Sequence, residues 1–120
     1  MAALKEKAIT LLGSLAGVDM KTAASTTIFT VPVGKTAVIT HVVIRSPSAS
    51  LVGGTSYSIT NFRQAFSLNG LTATTGYFIV QGTDLTLWTV TAAGTAVQLT
   101  VTTGSTGAAT ATVDIFGYLF

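Results

Sequence analysis

One histidine, four carboxylates and scattered serines are the side chains with which this 120-residue chain could do chemistry. His41 is the single imidazole, so a metal site around it would need its other ligands from Glu6, Asp19, Asp84 and Asp114. His41 sits inside the run Ala37-Val38-Ile39-Thr40-His41-Val42-Val43-Ile44, and a histidine in such a strand ordinarily packs or hydrogen-bonds within the sheet. Asp84 and Asp114 could face each other as a general acid and base, but each reads better as a strand-edge or turn residue. No Gly-x-Ser-x-Gly occurs, and with one histidine a Ser-His-Asp arrangement would have to come from scattered parts. Val33-Gly34-Lys35-Thr36 echoes the end of a phosphate loop. The upstream glycine is missing and Phe29 and Pro32 stand where that loop would run, so the segment reads as a hairpin turn. Cysteine is absent, which excludes disulfides and thiolate metal sites. The expectation is a protein that is not an enzyme, with no catalytic, cofactor-binding or metal residues.

The aromatic residues offer binding chemistry instead. Trp88, Tyr57, Tyr77 and Tyr118 could form a sugar-stacking platform, as in a carbohydrate-binding module, or could pack in a core or interface; packing is the favoured reading. Tyr118 and Phe120 at the C-terminus resemble the end of a small outer-membrane β-barrel. That alternative would also need a lipid-facing band, aromatic girdles and an export signal. Lys5 and Lys7 precede the apolar run Ala8 to Val18 in the manner of a signal peptide, yet Glu6 interrupts the positive region and the small-residue cleavage site is poor. No apolar stretch reaches the ~18 to 20 residues of a spanning helix.

Charge is the unusual property. Charged residues make up 8% of the chain, where about 25% is ordinary, and mean hydropathy is +0.65. A surface of Thr, Ser, Ala, Gly and aliphatic side chains is poorly protected against association, so much of it is expected to be covered by copies of the chain or by a larger body. Six basic side chains, Lys5, Lys7, Lys21, Lys35, Arg45 and Arg63, are spread along the sequence and form no patch for nucleic acid.

The pattern of elements that must carry these residues is all-β. Ala2 to Ala16 is the one candidate helix, with Leu4, Ala8, Leu11, Leu12 and Leu15 at helical spacing and Gly17 as its stop. An extended N-terminal arm that docks on a neighbour fits the same residues, so residues 1–25 are expected to be arm or short helix with a connector, and 26–120 a β-sandwich domain. The organising stretch is Thr26 to Ser46: a strand, a tight turn at Pro32-Val33-Gly34-Lys35 and a long strand from Thr36 to Arg45. That long strand is apolar on both parities, with Val38, Val42 and Ile44 on one face and Ile39 and Val43 on the other. Both of its faces should therefore be covered, one by a second sheet and the other by another subunit.

Tyr57 and Ile59 alternate with Ser56, Ser58 and Thr60 over Thr55 to Phe62. Arg63 to Leu68 continues the pattern or starts a new strand, and Asn69-Gly70 is the strongest hairpin signal. Tyr77 to Val80, Thr83 to Thr91, Thr95 to Thr103 and Ala108 to Phe120 follow, the last with Val113, Ile115 and Leu119 against Phe116, Tyr118 and Phe120. About eight short strands predict a single-domain antiparallel β-sandwich or jelly roll. Threonine dominates the outward positions.

Thr30-Val31-Pro32-Val33-Gly34-Lys35 leading into Ala37-Val38-Ile39-Thr40-His41-Val42-Val43-Ile44 resembles a pattern in small β-rich virion proteins of tailed bacteriophages. The likeness covers about a fifth of the chain. It implies a viral structural protein of the capsid decoration (cement), neck or tail-associated kind, assembled in the host cytoplasm and located in the virion. Its implied partners are itself, as a homo-oligomer (trimer or ring), and the major capsid or neck and tail proteins. It implies no cofactor, no specific nucleic acid and no membrane.

Overall fold

The computed structural model describes residues 9–62, 65–81 and 91–120. Seven strands are present among them: β1 Thr10–Asp19, β2 Ser25–Thr30, β3 Ala37–Arg45, β4 Ser56–Ile59, β5 Tyr77–Gln81, β6 Ala96–Thr103 and β7 Thr110–Leu119. They form two antiparallel sheets, one of order β1-β7-β3-β5 and one of order β2-β6-β4. The alternation in the sequence sets which side of each strand is apolar. Tyr57 and Ile59 of β4, Val97, Leu99 and Val101 of β6, and Val113 and Ile115 of β7 all point into one core shared by the two sheets.

The candidate helix over Ala2 to Ala16 is corrected. Its described part, from Ile9 on, enters β1, and no helix occurs among the described residues; Ala2 to Ala8 lie outside them. Helical spacing of leucines lost to tertiary pairing, because β1 pairs along β7 from Thr10↔Gly117 to Asp19↔Thr110, with register shifts between Leu11 and Gly13 and between Leu15 and Val18, while Gly13 and Gly17 would weaken a helix. Gly13 also lies so close to β2 that a Cβ there would stand 2.7 Å from Phe29 Cβ. Residues 10–19 are thus an edge strand of the sandwich itself, and the expected arm does not extend through them.

The turn after β2 forms as the residue types require. Lys35 N–H donates to Pro32 O at 3.2 Å, and Gly34 takes φ 79°. It is not a hairpin, however: β2 and β3 belong to different sheets. The segment passes from one layer to the other, and Pro32, with no N–H to donate, marks where pairing stops. Asn69-Gly70 likewise occupies a turn closed by Leu71 N–H to Leu68 O at 2.9 Å, but Leu68 and Leu71 bond onward to Gly54 and Leu51 rather than to each other's strands. Of the eight strands expected, the described part of Arg63 to Leu68, residues 65–68, is represented by the isolated bridge Tyr57↔Phe66, and residues 63–64 and 83–90 lie outside the described residues.

The faces of β3 differ from simple alternation. A register shift between Ile39 and His41 against β7 places an extra residue at Thr40. Ile39, Val42 and Ile44 therefore enter the core together, while Val38, although buried, stands outside the core cluster and pairs with Tyr118 on the opposite face. The parity assignment that grouped Val38 with Val42 and Ile44 is corrected by this bulge.

Candidate functional site

In antiparallel strands, residues directly opposite each other share a face, so the register maps the outer side of the four-stranded sheet. Leu11, Phe116 and His41 form one row. Ser14, Asp114, Val43 and Ile79 form the next, and Thr112, Arg45 and Tyr77 the one beyond it. In the other direction lie Val38 and Tyr118, followed by Phe120, whose ring is 6.1 Å from that of Tyr118. Leu11 is 53% exposed, Ile79 47% and Tyr77 68%. The face is therefore polar at one end and mostly apolar and aromatic over the rest, where Leu11, Ile79 and Phe120 are exposed, Val43, Phe116 and Tyr118 are half-buried and Val38 is buried.

Its polar end holds the most organised side-chain cluster of the molecule's described part. Asp114 is buried, with Oδ2 accepting from Arg45 Nε at 2.7 Å and Oδ1 accepting from Ser14 Oγ at 2.5 Å. The hydrogen bond to Asp114, with its negative charge, raises the Arg45 pKa further above its ordinary value. Both carboxylate oxygens are occupied by donors, so Asp114 is held as a structural anion. Ser14 gives its proton to a carboxylate rather than to an imidazole, which is not the hydrogen-bond pattern of an activated nucleophile.

His41 is half-buried one row away. Its Nδ1 lies 2.9 Å from Thr40 Oγ1, and Thr40 Oγ1 donates to Phe116 O at 3.4 Å. The imidazole is thus braced within the sheet. Among the described residues no three His, Cys, Asp or Glu side chains are grouped as metal ligands. Asp19 does local work instead: its Oδ1 accepts from the backbone N–H of Lys21 at 2.8 Å and of Thr22 at 3.1 Å. Those bonds hold its carboxyl below the usual carboxylate range.

The outer side of the three-stranded sheet is chemically different. Ser25 Oγ lies 2.9 Å from Thr100 Oγ1, Gln98 Nε2 donates to Thr27 Oγ1 at 3.1 Å, and Ser58 stands opposite Thr100. Among the described residues of β2, β4 and β6, this face joins uncharged hydroxyls with the Gln98 amide. Threonine therefore dominates the outward positions of one sheet, whereas the other sheet turns apolar side chains outward.

Of the four aromatic residues considered for a stacking platform, Tyr57 is not available to one. Tyr57 is fully buried and donates its hydroxyl to Met20 O at 2.8 Å; Tyr77 and Tyr118 are on the outer face of the four-stranded sheet. Trp88 and Asp84 lie outside the described residues. No family model, curated protein or solved structure matches this chain. The site therefore rests on its own geometry, that of an extended apolar face bounded by one neutralised ion pair. Sequence parity pointed to part of it through Phe116, Tyr118 and Val43. The places of Val38 and Leu11 were hidden, since one follows from the bulge at Thr40 and the other from a strand read as a helix.

Proposed function

We propose that this chain is a non-enzymatic structural protein of a tailed-phage virion, one that associates with its own copies and docks on the capsid, neck or tail to stabilise the particle. The observation that carries the reading is the outer face of the four-stranded sheet, where Leu11, Phe116, Val43, Ile79, Tyr118 and Phe120 occupy neighbouring register positions. Leu11, Ile79 and Phe120 are exposed among them, and clustered exposed apolar residues are characteristic of interaction surfaces. The link to phage particles comes from the likeness of Thr30 to Ile44 to virion proteins.

A jelly roll is the finer fold proposed. Its support is the pairing scheme: β1 with β7, β2 with β6, β3 with β5, and β4 with the bridge at Phe66. This is a long hairpin nested from the outside in, then rolled so that β3 also meets β7 and β4 also meets β6. Counting Phe66 as a vestigial eighth strand gives the two interlocked Greek keys of that architecture. Jelly rolls serve in viral capsids and in lectins alike, so the fold is neutral between the virion reading and the carbohydrate-binding alternative. The outer-membrane alternative fits less well, because the three-stranded sheet turns hydroxyls outward where a barrel needs a lipid-facing band.

The test is co-sedimentation with particles. Purified tagged protein, mixed with phage particles from its source and run on a density gradient, should travel with the particles at fixed stoichiometry. Protein left at the top of the gradient would overturn the reading. On a glycan array, binding that is abolished by Trp88→Ala would favour the carbohydrate-binding module.

A further inference from the structure

We infer that Asn69 is a self-modification site, where the amide nitrogen of Gly70 displaces ammonia from the Asn69 side chain and water then leaves an aspartate or an isoaspartate. The site is independent of the proposed function. The chain has two asparagines, Asn61 and Asn69, and the fold treats the nitrogen that follows each of them in opposite ways. Asn61 is followed by the half-buried Phe62, whose N–H is engaged with Ile59 O at 3.2 Å. Asn69 is followed by the exposed Gly70, whose N–H makes no hydrogen bond among the described residues. Apart from its chain neighbours, no atom lies within 4 Å of where a Gly70 Cβ would stand, so that nitrogen is sterically open.

Asn69 is itself exposed, and its amide is oriented by its oxygen: Gly53 N–H donates to Oδ1 at 2.7 Å. That donor draws electron density from Cγ and faces the oxygen on which negative charge develops when Cγ is attacked. The step needs no oxidant or reductant. Hydroxide takes the Gly70 amide proton, the N–Cγ bond forms, the Cγ–Nδ2 bond breaks, and Nδ2 leaves as ammonia with a proton from water. Water then opens the succinimide ring. Attack at Cγ restores the main chain with aspartate, and attack at the backbone carbonyl of residue 69 leaves the main chain running through Cβ and Cγ as isoaspartate.

The two products differ in what they do to the fold. Aspartate keeps an acceptor for Gly53 N–H, strengthened by its charge, and the formal net charge falls from +2 to +1 as one neutral amide becomes one carboxylate. Isoaspartate adds a main-chain atom inside the turn closed by Leu71 N–H to Leu68 O. Leu68 and Leu71 are both buried, and Leu71 O accepts from Leu51 N–H, so the longer chain disturbs the core beside the turn.

Peptide mapping by mass spectrometry on the full chain, held folded for weeks at mildly alkaline pH, tests this, with Gly70→Ala beside the parent. Cleavage after Arg63 puts the two asparagines on different peptides. Neither Asn69 nor Gly70 has positive φ, so alanine fits the turn and the urea midpoint of Gly70→Ala should match the parent's. In the parent, the Asn69 peptide should take the mass of an acid in place of an amide and resolve into aspartate and isoaspartate forms, while Asn61 keeps its amide. Gly70→Ala should convert at least about 10-fold more slowly, because intramolecular attack depends on close approach. An Asn69 amide that persists in the folded chain, whatever happens in urea, would overturn the inference. Equal conversion at Asn61, or conversion of Gly70→Ala at the parent's rate, would do the same.

Discussion

The hydroxyl of Tyr57 donates to the backbone carbonyl of Met20 at 2.8 Å, and this one bond ties β4 of the smaller sheet to the end of β1 in the larger one. Both residues are fully buried. Met20 O also accepts from Ser105 N–H at 3.0 Å, so removing the phenol would not orphan it. Tyr57→Phe should therefore cost about 1 kcal/mol, the net value of a single neutral hydrogen bond, as read from urea unfolding. A loss above about 3 kcal/mol would mean that the hydroxyl supports more than this contact.

The same residue predicts an alkaline limit. Burial pushes the Tyr57 phenol above its ordinary value of 10.0, so the folded state keeps the proton longer than the unfolded chain does. Stability from this group is complete below pH 10.0 and is lost as pH rises from there through the folded-state value. The gap in stability between the parent and Tyr57→Phe should narrow above that pH. A constant gap between pH 8 and about pH 11 would contradict the burial argument.

Arg45 and Asp114 should respond unequally. Arg45→Ala leaves a buried carboxylate with only Ser14 as donor, whereas Asp114→Ala leaves a guanidinium that is already half in water. The urea midpoint should therefore fall further for Arg45→Ala than for Asp114→Ala at pH 7, and the double variant should recover part of the loss. The reverse order would show that Asp114 is held chiefly by hydrogen bonding.

Ile39 and Val33 provide a packing contrast. Ile39 is 4% exposed in the core and Val33 is 94% exposed at a turn. Ile39→Ala should cost about 2–5 kcal/mol, and Val33→Ala should stay within about 0.5 kcal/mol. Thermal or urea melts of both variants decide it, and comparable losses would place Ile39 outside the core.

Much of the sheet structure was legible residue by residue. Val97, Leu99 and Val101, and likewise Val113 and Ile115, alternate with polar or aromatic neighbours, and all five are buried as that alternation demands. Gly34 and Pro32 announced their turn, because only certain residues tolerate its dihedral angles. These are local properties, set by side-chain period and backbone sterics within a few residues.

What the sequence determined alone was therefore the all-β class, the inward sides of β4, β6 and β7, the turn at Pro32 to Lys35, and the scarcity of charge. Tertiary structure decided the rest. Thr10–Asp19 became a strand because β7 lay alongside it; β2 and β3 parted into different sheets; and the bulge at Thr40 turned Val38 away from Val42. Ser14, Arg45 and Asp114 converge from three strands to form one cluster. Each of these outcomes depends on hydrogen-bond register between segments distant in the chain, and a one-residue change of register reverses which face a side chain occupies. Local pattern carries no record of that register, which is why the apolar outer face emerged only when the strands were laid side by side.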